Sequence, residues 1–401
     1  MPQLFHFHGR SNGTRALSLG VAFACFFTSL GVAQFLSTEH PVAPDQISLG
    51  MSGPESGRIG PAGVSVKEGY LAAFERFNRA GGIHGRKIRL VAYDDQSEGL
   101  NGVVNTERLI NQDRVLALVG YSGASVSESV LAMIEGANLA FFAPLSGAAF
   151  LQDPKDRYTF NLRASCVDEI RMLVTHLVED AAAQRIGLVW QRDDHGQSVH
   201  DALLSILEER HLKLVGDGRY LRNESVLKEA FDQVADAKPD AIILSGAFAP
   251  SARLVRYAHR YLREAVVCCT SAICMESLQR LSGADAEGVV AVEVVPFPAA
   301  STLGTGQEYR HDMNAVGATR YDHASYEAYI GARFFGYALE QAGPLLTEQV
   351  LLTALAGAKC AFDGLTFAFG AGAAQTNHRV VLARVRHGRL SAIDRIEVPS
   401  P

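Results

Sequence analysis

Tryptophan occurs once in the 401 residues, and neither Cys-x-x-Cys nor His-x-x-x-His spacing occurs at all. Six cysteines and thirteen histidines scattered in this way exclude a structural zinc site, and no other metal or cofactor motif is present. Basic residues are in deficit, 37 against 43 acidic ones for a net charge of −6, so no nucleic-acid partner is expected. Beyond residue 33 there is no apolar run of 18 residues, which excludes a polytopic membrane protein. What is there is globular in composition, with 48% hydrophobic and 20% charged residues and a mean hydropathy of +0.06. The length suggests two domains, because a single core usually stops growing near ~250–300 residues.

The N-terminus has the order of a secretory signal. Arg10 and Arg15 occur with no acid in residues 1–15, an apolar stretch fills 16–33, and Gly31-Val32-Ala33 offers small residues for cleavage. Residues 1–33 read as a signal peptide or as a retained anchor, since 18 apolar residues approach the ~20 that span a bilayer. A lipoprotein reading through Cys25 is disfavoured by bulky Phe23. Export leaves Cys166, Cys268, Cys269, Cys274 and Cys360, an odd number, read either as small buried hydrophobes or as holding a disulfide among Cys268, Cys269 and Cys274.

After a polar leader at 34–45, strands and helices alternate. Apolar strands are expected at 47–51, 87–93, 115–119 and 139–143, with helices between them. The alternation restarts after Cys166, with strands at 186–190, 213–220, 241–244, 265–270 and 289–295, before Pro296 and Pro298 break it. A looser stretch at 299–323 leads to helices at 325–342 and 347–359 and to strand-like 364–369 and 380–386. The fold class is therefore α/β, two lobes each built on a mostly parallel sheet flanked by helices, with a ligand cleft between them. The expected division is 46–165 plus 296–375 for the first lobe and 166–295 plus 376–401 for the second.

These residues resemble the branched-chain amino-acid type of periplasmic substrate-binding protein, the type I fold. The resemblance runs through Met51-Ser52-Gly53-Pro54, the stretch Ala80-Gly81-Gly82-Ile83-His84-Gly85-Arg86-Lys87, Tyr93-Asp94-Asp95, Val119-Gly120, Ala143-Pro144 and Ser325-Tyr326-Glu327-Ala328-Tyr329, and covers about 45–401. It implies a monomeric periplasmic protein that captures a small molecule between its lobes, delivers it to an ABC permease and does no chemistry on it.

The resemblance also places the pocket. The loop after the third strand, where relatives use hydroxyls, reads Tyr121-Ser122-Gly123-Ala124-Ser125, with Ala124 at the usual hydroxyl position. The next loop offers Leu145-Ser146-Gly147. In the second lobe the covering aromatic falls on His195, Phe248 follows another strand, and the acid that would meet an α-ammonium should lie near Ser271, where Ser271-Ala272-Ile273 has none. A buried ammonium lacking an acceptor costs several kcal/mol. The expected ligand is therefore rather apolar, a lipid, sterol-like or aromatic metabolite held by Leu145, Phe248, Ile273 and Phe297, with an amino acid as the alternative.

Other chemistry is weighed beside this. Gly120-Tyr121-Ser122-Gly123-Ala124 resembles a nucleophile elbow with Ala124 in place of its last glycine, and His323 or His378 could complete a triad on paper. Gly/Ser loops at strand ends more often bind ligands or cap helices. Asp94 and Asp95 read as solvated turn carboxylates, His195 as a loop residue that could titrate near neutral pH. Arg253, Arg256, His259, Arg260 and Arg263 form the basic face of one helix. A ligand-sensing regulator remains an alternative to transport.

Overall fold

Short apolar strands alternating with amphipathic helices bury both faces of a strand only when a parallel sheet is covered by helices on each side. The computed structural model describes residues 42–57, 59–299, 302, 304–318, 320–369 and 376–398. The expected signal segment 1–33 and Cys25 lie outside the described residues.

The first sheet comes from β1 (Gln46–Gly53), β2 (Lys87–Asp94), β3 (Ala117–Val119), β4 (Ala140–Phe142) and β5 (Thr159–Phe160), linked through α1 (Gly60–Arg79), α2 (Gly99–Asn111) and α3 (Ala124–Ala137). Its order is β2-β1-β3-β4-β5 and every pairing is parallel. The chain then crosses to α4 (Cys166–Glu179), β6 (Ile186–Gln191), α5 (Asp194–Glu209), β7 (Leu214–Tyr220), α6 (Leu227–Ala235), β8 (Ala241–Ser245), α7 (Phe248–Tyr261), β9 (Val266–Cys269), α8 (Met275–Ser282) and β10 (Val290–Glu293). It returns to the first lobe for α9 (Gly304–Ala315), α10 (His323–Ala342), α11 (Glu348–Gly357) and the hairpin β11 (Lys359–Phe362) and β12 (Leu365–Ala368), and ends in β13 (Val381–Arg386) and β14 (Arg389–Ala392). The second sheet runs β14-β13-β10-β9-β8-β6-β7, parallel except for its last two strands.

Each sheet has two covered faces. One face of the first sheet packs against α1, α10 and α11 around Tyr70, Phe142 and Phe334, and the other against α2 and α3 around Leu109, Val130 and Phe141. The second sheet is covered by α4 and α5 on one face and by α6, α7 and α8 on the other. Residues Ser37–Pro401 hold together as one unit, because the chain passes between the sheets three times.

The looser stretch expected at 299–323 contains a helix, α9, anchored by buried Tyr309 and Met313 amid a polar sequence. The strand-like 364–369 contains the second arm of a hairpin whose first arm, β11, was not expected: the expected helix ended at 359 and 360–363 was assigned to no element. None of the five described cysteines is in a disulfide, and Cys166, Cys268 and Cys269 are buried.

Candidate functional site

The three passages between the lobes gather polar groups at one place. Arg163 lies on the first passage, Glu293 ends β10 just before the second, and His323 and Glu327 occupy the first turns of α10, one helical turn apart. That helix starts where it does because Asp322 accepts from the Ser325 amide (2.9 Å) while Ser325 reaches back to the Asp322 amide (3.3 Å). These residues line a cavity of about 200 Å³ between the lobes.

The start of α3 lines the same cavity. Gly123, Ala124, Ser125 and Val126 all line the cavity, and no side chain caps this helix. A helix start presents N–H groups without intrahelical partners and the positive end of the dipole, which suits a carboxylate or another acceptor. Ser122 beside it is buried, and its hydroxyl has no hydrogen-bond partner. Leu145, Ile59, Ala62 and Val66 supply an apolar wall.

The floor is a network of charges. Arg163 donates to Glu327 and to the Ser271 hydroxyl. Ser271 in turn donates its hydroxyl and its amide to Glu169, at 2.6 and 2.9 Å. His323 meets Glu276 of α8 through Nδ1 at 2.6 Å and donates its amide to the same oxygen at 3.2 Å, while Glu293 stands 4.0 Å from Nδ1. Burial pushes the Glu293 carboxyl up to about 8 despite the His323 charge. Burial opposes the His323 charge too, but Glu293 and Glu276 outweigh it and push the imidazole up to about 9. Although burial works the other way, His323 holds Glu276 below the usual carboxylate range. Glu327 is raised by burial, with Arg163 pulling it back. Several of these atoms lack hydrogen-bond partners: Glu293 Oε1, Glu276 Oε2, Arg163 Nε and His323 Nε2.

Seven residues expected at the site line the cavity: Ser122, Ala124, Ser125, Leu145, Ser146, His195 and Ser271. His195 is not in a loop but in the first turn of α5, whose start is capped by Asp193 accepting from the Gly196 amide at 2.8 Å. Its Nδ1 lies 3.6 Å from the Cys166 sulfur, its Nε2 is unpartnered, and burial holds its pKa below the usual value, so it stays neutral near pH 7.

Five expected residues lie elsewhere. Tyr121 points to the opposite side of the strand end from Ser122, into the α2–α3 core, where it meets the Thr106 hydroxyl at 2.8 Å and the Phe141 ring edge-on. Gly147 is backbone pressed against the first interlobe passage; a Cβ there would stand 2.9 Å from the Ala164 carbonyl. Phe248 begins α7 and packs into the core beneath it, leaving Gly246 and Ala247 at the cavity. Ile273 is fully buried in that same core. Phe297 sits edge-on to His323 at 5.1 Å and is not among the lining residues.

The expectation that an ammonium would meet no carboxylate is overturned. The Ser271 segment has no acid, but Glu276, Glu293 and Glu327 reach the cavity from α8, β10 and α10. Of these, Glu293 had a sequence signal, a lone acid inside the valine-rich run 289–295. Asp95 is not solvated either: it is fully buried, takes the Ser52 hydroxyl (2.9 Å) and the Ser97 amide (2.8 Å), and is pushed up to about 6 by burial. The triad reading fails on geometry. Ser122 Oγ has no partner, His323 is held by Glu276, and exposed His378 pairs with Asp168 at 3.2 Å.

Two lobes that meet around a lined cavity make a site for a small molecule. The sequence matches the family model described as periplasmic binding protein over residues 46–389. The chain belongs to that family, and it is not an enzyme. Solved structures similar to it include a possible leucine/isoleucine/valine-binding protein from Rhodopirellula baltica (26% identity, TM-score 0.83, 90% of this chain and 100% of that one). Another is a substrate-binding periplasmic protein from Ralstonia solanacearum (27% identity, TM-score 0.81, 87% and 100%). An amino acid binding protein of Pseudomonas aeruginosa is 25% identical over 212 residues, 52% of this chain and 56% of its own length. The chain thus spans about half the length of the curated relatives it matches. No helix among the described residues is long and apolar enough to cross a membrane.

Proposed function

We propose that this chain is an exported solute-binding protein that captures a small amine-bearing molecule, of amino-acid size, and hands it to an ABC permease. One observation carries the ligand class: unpartnered carboxylate oxygens of Glu276 and Glu293 belong to residues lining a cavity that the uncapped start of α3 also lines. Amine N–H groups would satisfy the former and a carboxylate or carbonyl the latter, with the apolar body against Leu145, Ile59 and Val66. Contacts from both lobes stabilise the closed form over an open one that offers only half of them.

A bulky apolar ligand is a poorer match. The cavity of about 200 Å³ is below the ~300–1,000 Å³ of pockets for drug-sized ligands. The charged floor would also be left without partners against a sterol-like or lipid body. The test is native mass spectrometry of the protein purified from its own host, followed by extraction and identification of the bound molecule. Recovery of a small primary amine or amino acid is the expected result; recovery of a lipid or an aromatic molecule without an amine would overturn the reading.

A further inference from the structure

Glu293 is an unusual side chain for the end of a central strand. It is 2% exposed, lines the cavity, and keeps Oε1 without a hydrogen-bond partner, so burial costs it solvation that no hydrogen bond to Oε1 returns. The groups facing it come from four elements: His323 from α10, Glu276 from α8, Arg163 from the first interlobe passage and Glu169 from α4. The thiol of Cys269 on neighbouring β9 also feels its charge. With Glu327, which pairs with Arg163, four carboxyls share this space with two cations, Arg163 and His323. Both cations are already engaged, by Glu327 and Glu276 respectively.

Resting on the amine reading above, we propose that Glu293 determines specificity for a protonated amine, and that capture of the amine expels the Glu293 proton to solvent. In the empty site a neutral carboxyl relieves the excess of negative charge. An arriving ammonium replaces that proton: it supplies the positive charge and the N–H donors that Oε1 lacks, and the carboxyl ionises. The acid sits on β10, not on the segment after β9 where the resemblance pointed.

The geometry makes selectivity and pH dependence two faces of one event. With the Glu293 carboxyl pushed up to about 8, amine affinity falls as pH drops, approaching about tenfold per pH unit well below that value. His323 keeps its charge over most of the interval from pH 8.5 to 6.5, being pushed up to about 9.

The experiment is a thermal-shift screen of the full chain with the twenty L-amino acids and simple primary amines, each beside its des-amino counterpart. The amine giving the largest shift is then measured by titration calorimetry at pH 8.5 and 6.5, in phosphate and in Tris, with the parent and with Glu293→Gln. The expected result is an amine whose affinity drops about tenfold or more toward pH 6.5, whose heat differs between the buffers because a proton is released, and whose pH dependence is lost in Glu293→Gln. The buffer comparison needs no variant, so a misfolded Glu293→Gln leaves it decisive. An amine that binds with no proton release and no pH dependence overturns the role of Glu293 and leaves the amine reading standing. Stabilisation by des-amino compounds alone, or by no amine, overturns both.

Discussion

A histidine between two carboxylates treats them unequally. His323 touches Glu276 at 2.6 Å and stands 4.0 Å from Glu293, and only the nearer acid is held in its ionised form. The consequence for stability follows from the direction of each shift. His323 is raised from 6.5 to about 9, so its contribution is complete below pH 6.5 and is lost as pH rises through about 9. Glu293, raised from 4.5 to about 8, acts in the same direction: its contribution is present below 4.5 and gone above about 8. Glu276 is lowered, so its contribution is present above 4.5 and is lost on acidification. The melting temperature is therefore expected to fall between pH 7 and 9.5. In His323→Gln that fall flattens by an amount on the order of 1–3 kcal/mol. A scanning-calorimetry series over that range checks it; identical slopes for parent and variant would mean that His323 is not charged in the folded protein.

At the scale of elements, α1 and α10 pass so close that one residue has no room for a side chain. A Cβ on Gly69 would lie 2.2 Å from the Ser325 carbonyl oxygen, which is backbone and cannot swing away. Gly69→Ala is expected to destabilise the chain by about 1–3 kcal/mol through forced separation of the two helices. A denaturant midpoint unchanged from the parent would show that the helices can part at no cost. This contact ties the returning C-terminal helices to the first lobe, and it bears on what was legible in the sequence. β1, β6 and β8 were readable as short continuous apolar runs buried on both faces, and α4 and α10 by apolar residues recurring at helical spacing. The two-residue β5 is too short to show a period, α9 buries only scattered side chains, and β11 takes its partner from a hairpin. The loop residues Ser122, Ser125 and Ser146 were legible because strand ends in such sheets point at ligands. Tyr121, Phe248 and Ile273 were misassigned because one step along a turn reverses a side chain. The charged floor was hidden for another reason: Arg163, Glu276, Glu293 and His323 are separated by 17 to 160 residues, and only the crossing of the chain between lobes unites them.

For the whole molecule, the question is what holds the lobes at their present separation. The floor network sits near the passages and ties α10 to the first passage and to α8. At the rim the ties are few. Arg222, after β7, donates to the Ser97 carbonyl and stands 4.0 Å from Glu98, both on the loop before α2, and the Ala149 amide donates to Ser198 of α5 at 3.3 Å. A charged donor on a backbone carbonyl contributes about 1.5–3 kcal/mol, whereas the exposed ion pair contributes at most about 1. Arg222 also lines the cavity, so its loss acts on both the closed form and the rim over the ligand. Arg222→Ala is therefore expected to weaken binding about tenfold, a difference of about 1.4 kcal/mol, chiefly through faster release, because the closed state loses its tie while the floor that recognises the amine is untouched. Small-angle scattering of the ligand-free variant should show a larger radius of gyration than the parent, and saturating ligand should restore the parent value. If the variant matches the parent in both release rate and radius, closure is governed at the floor, and the rim contacts only follow it.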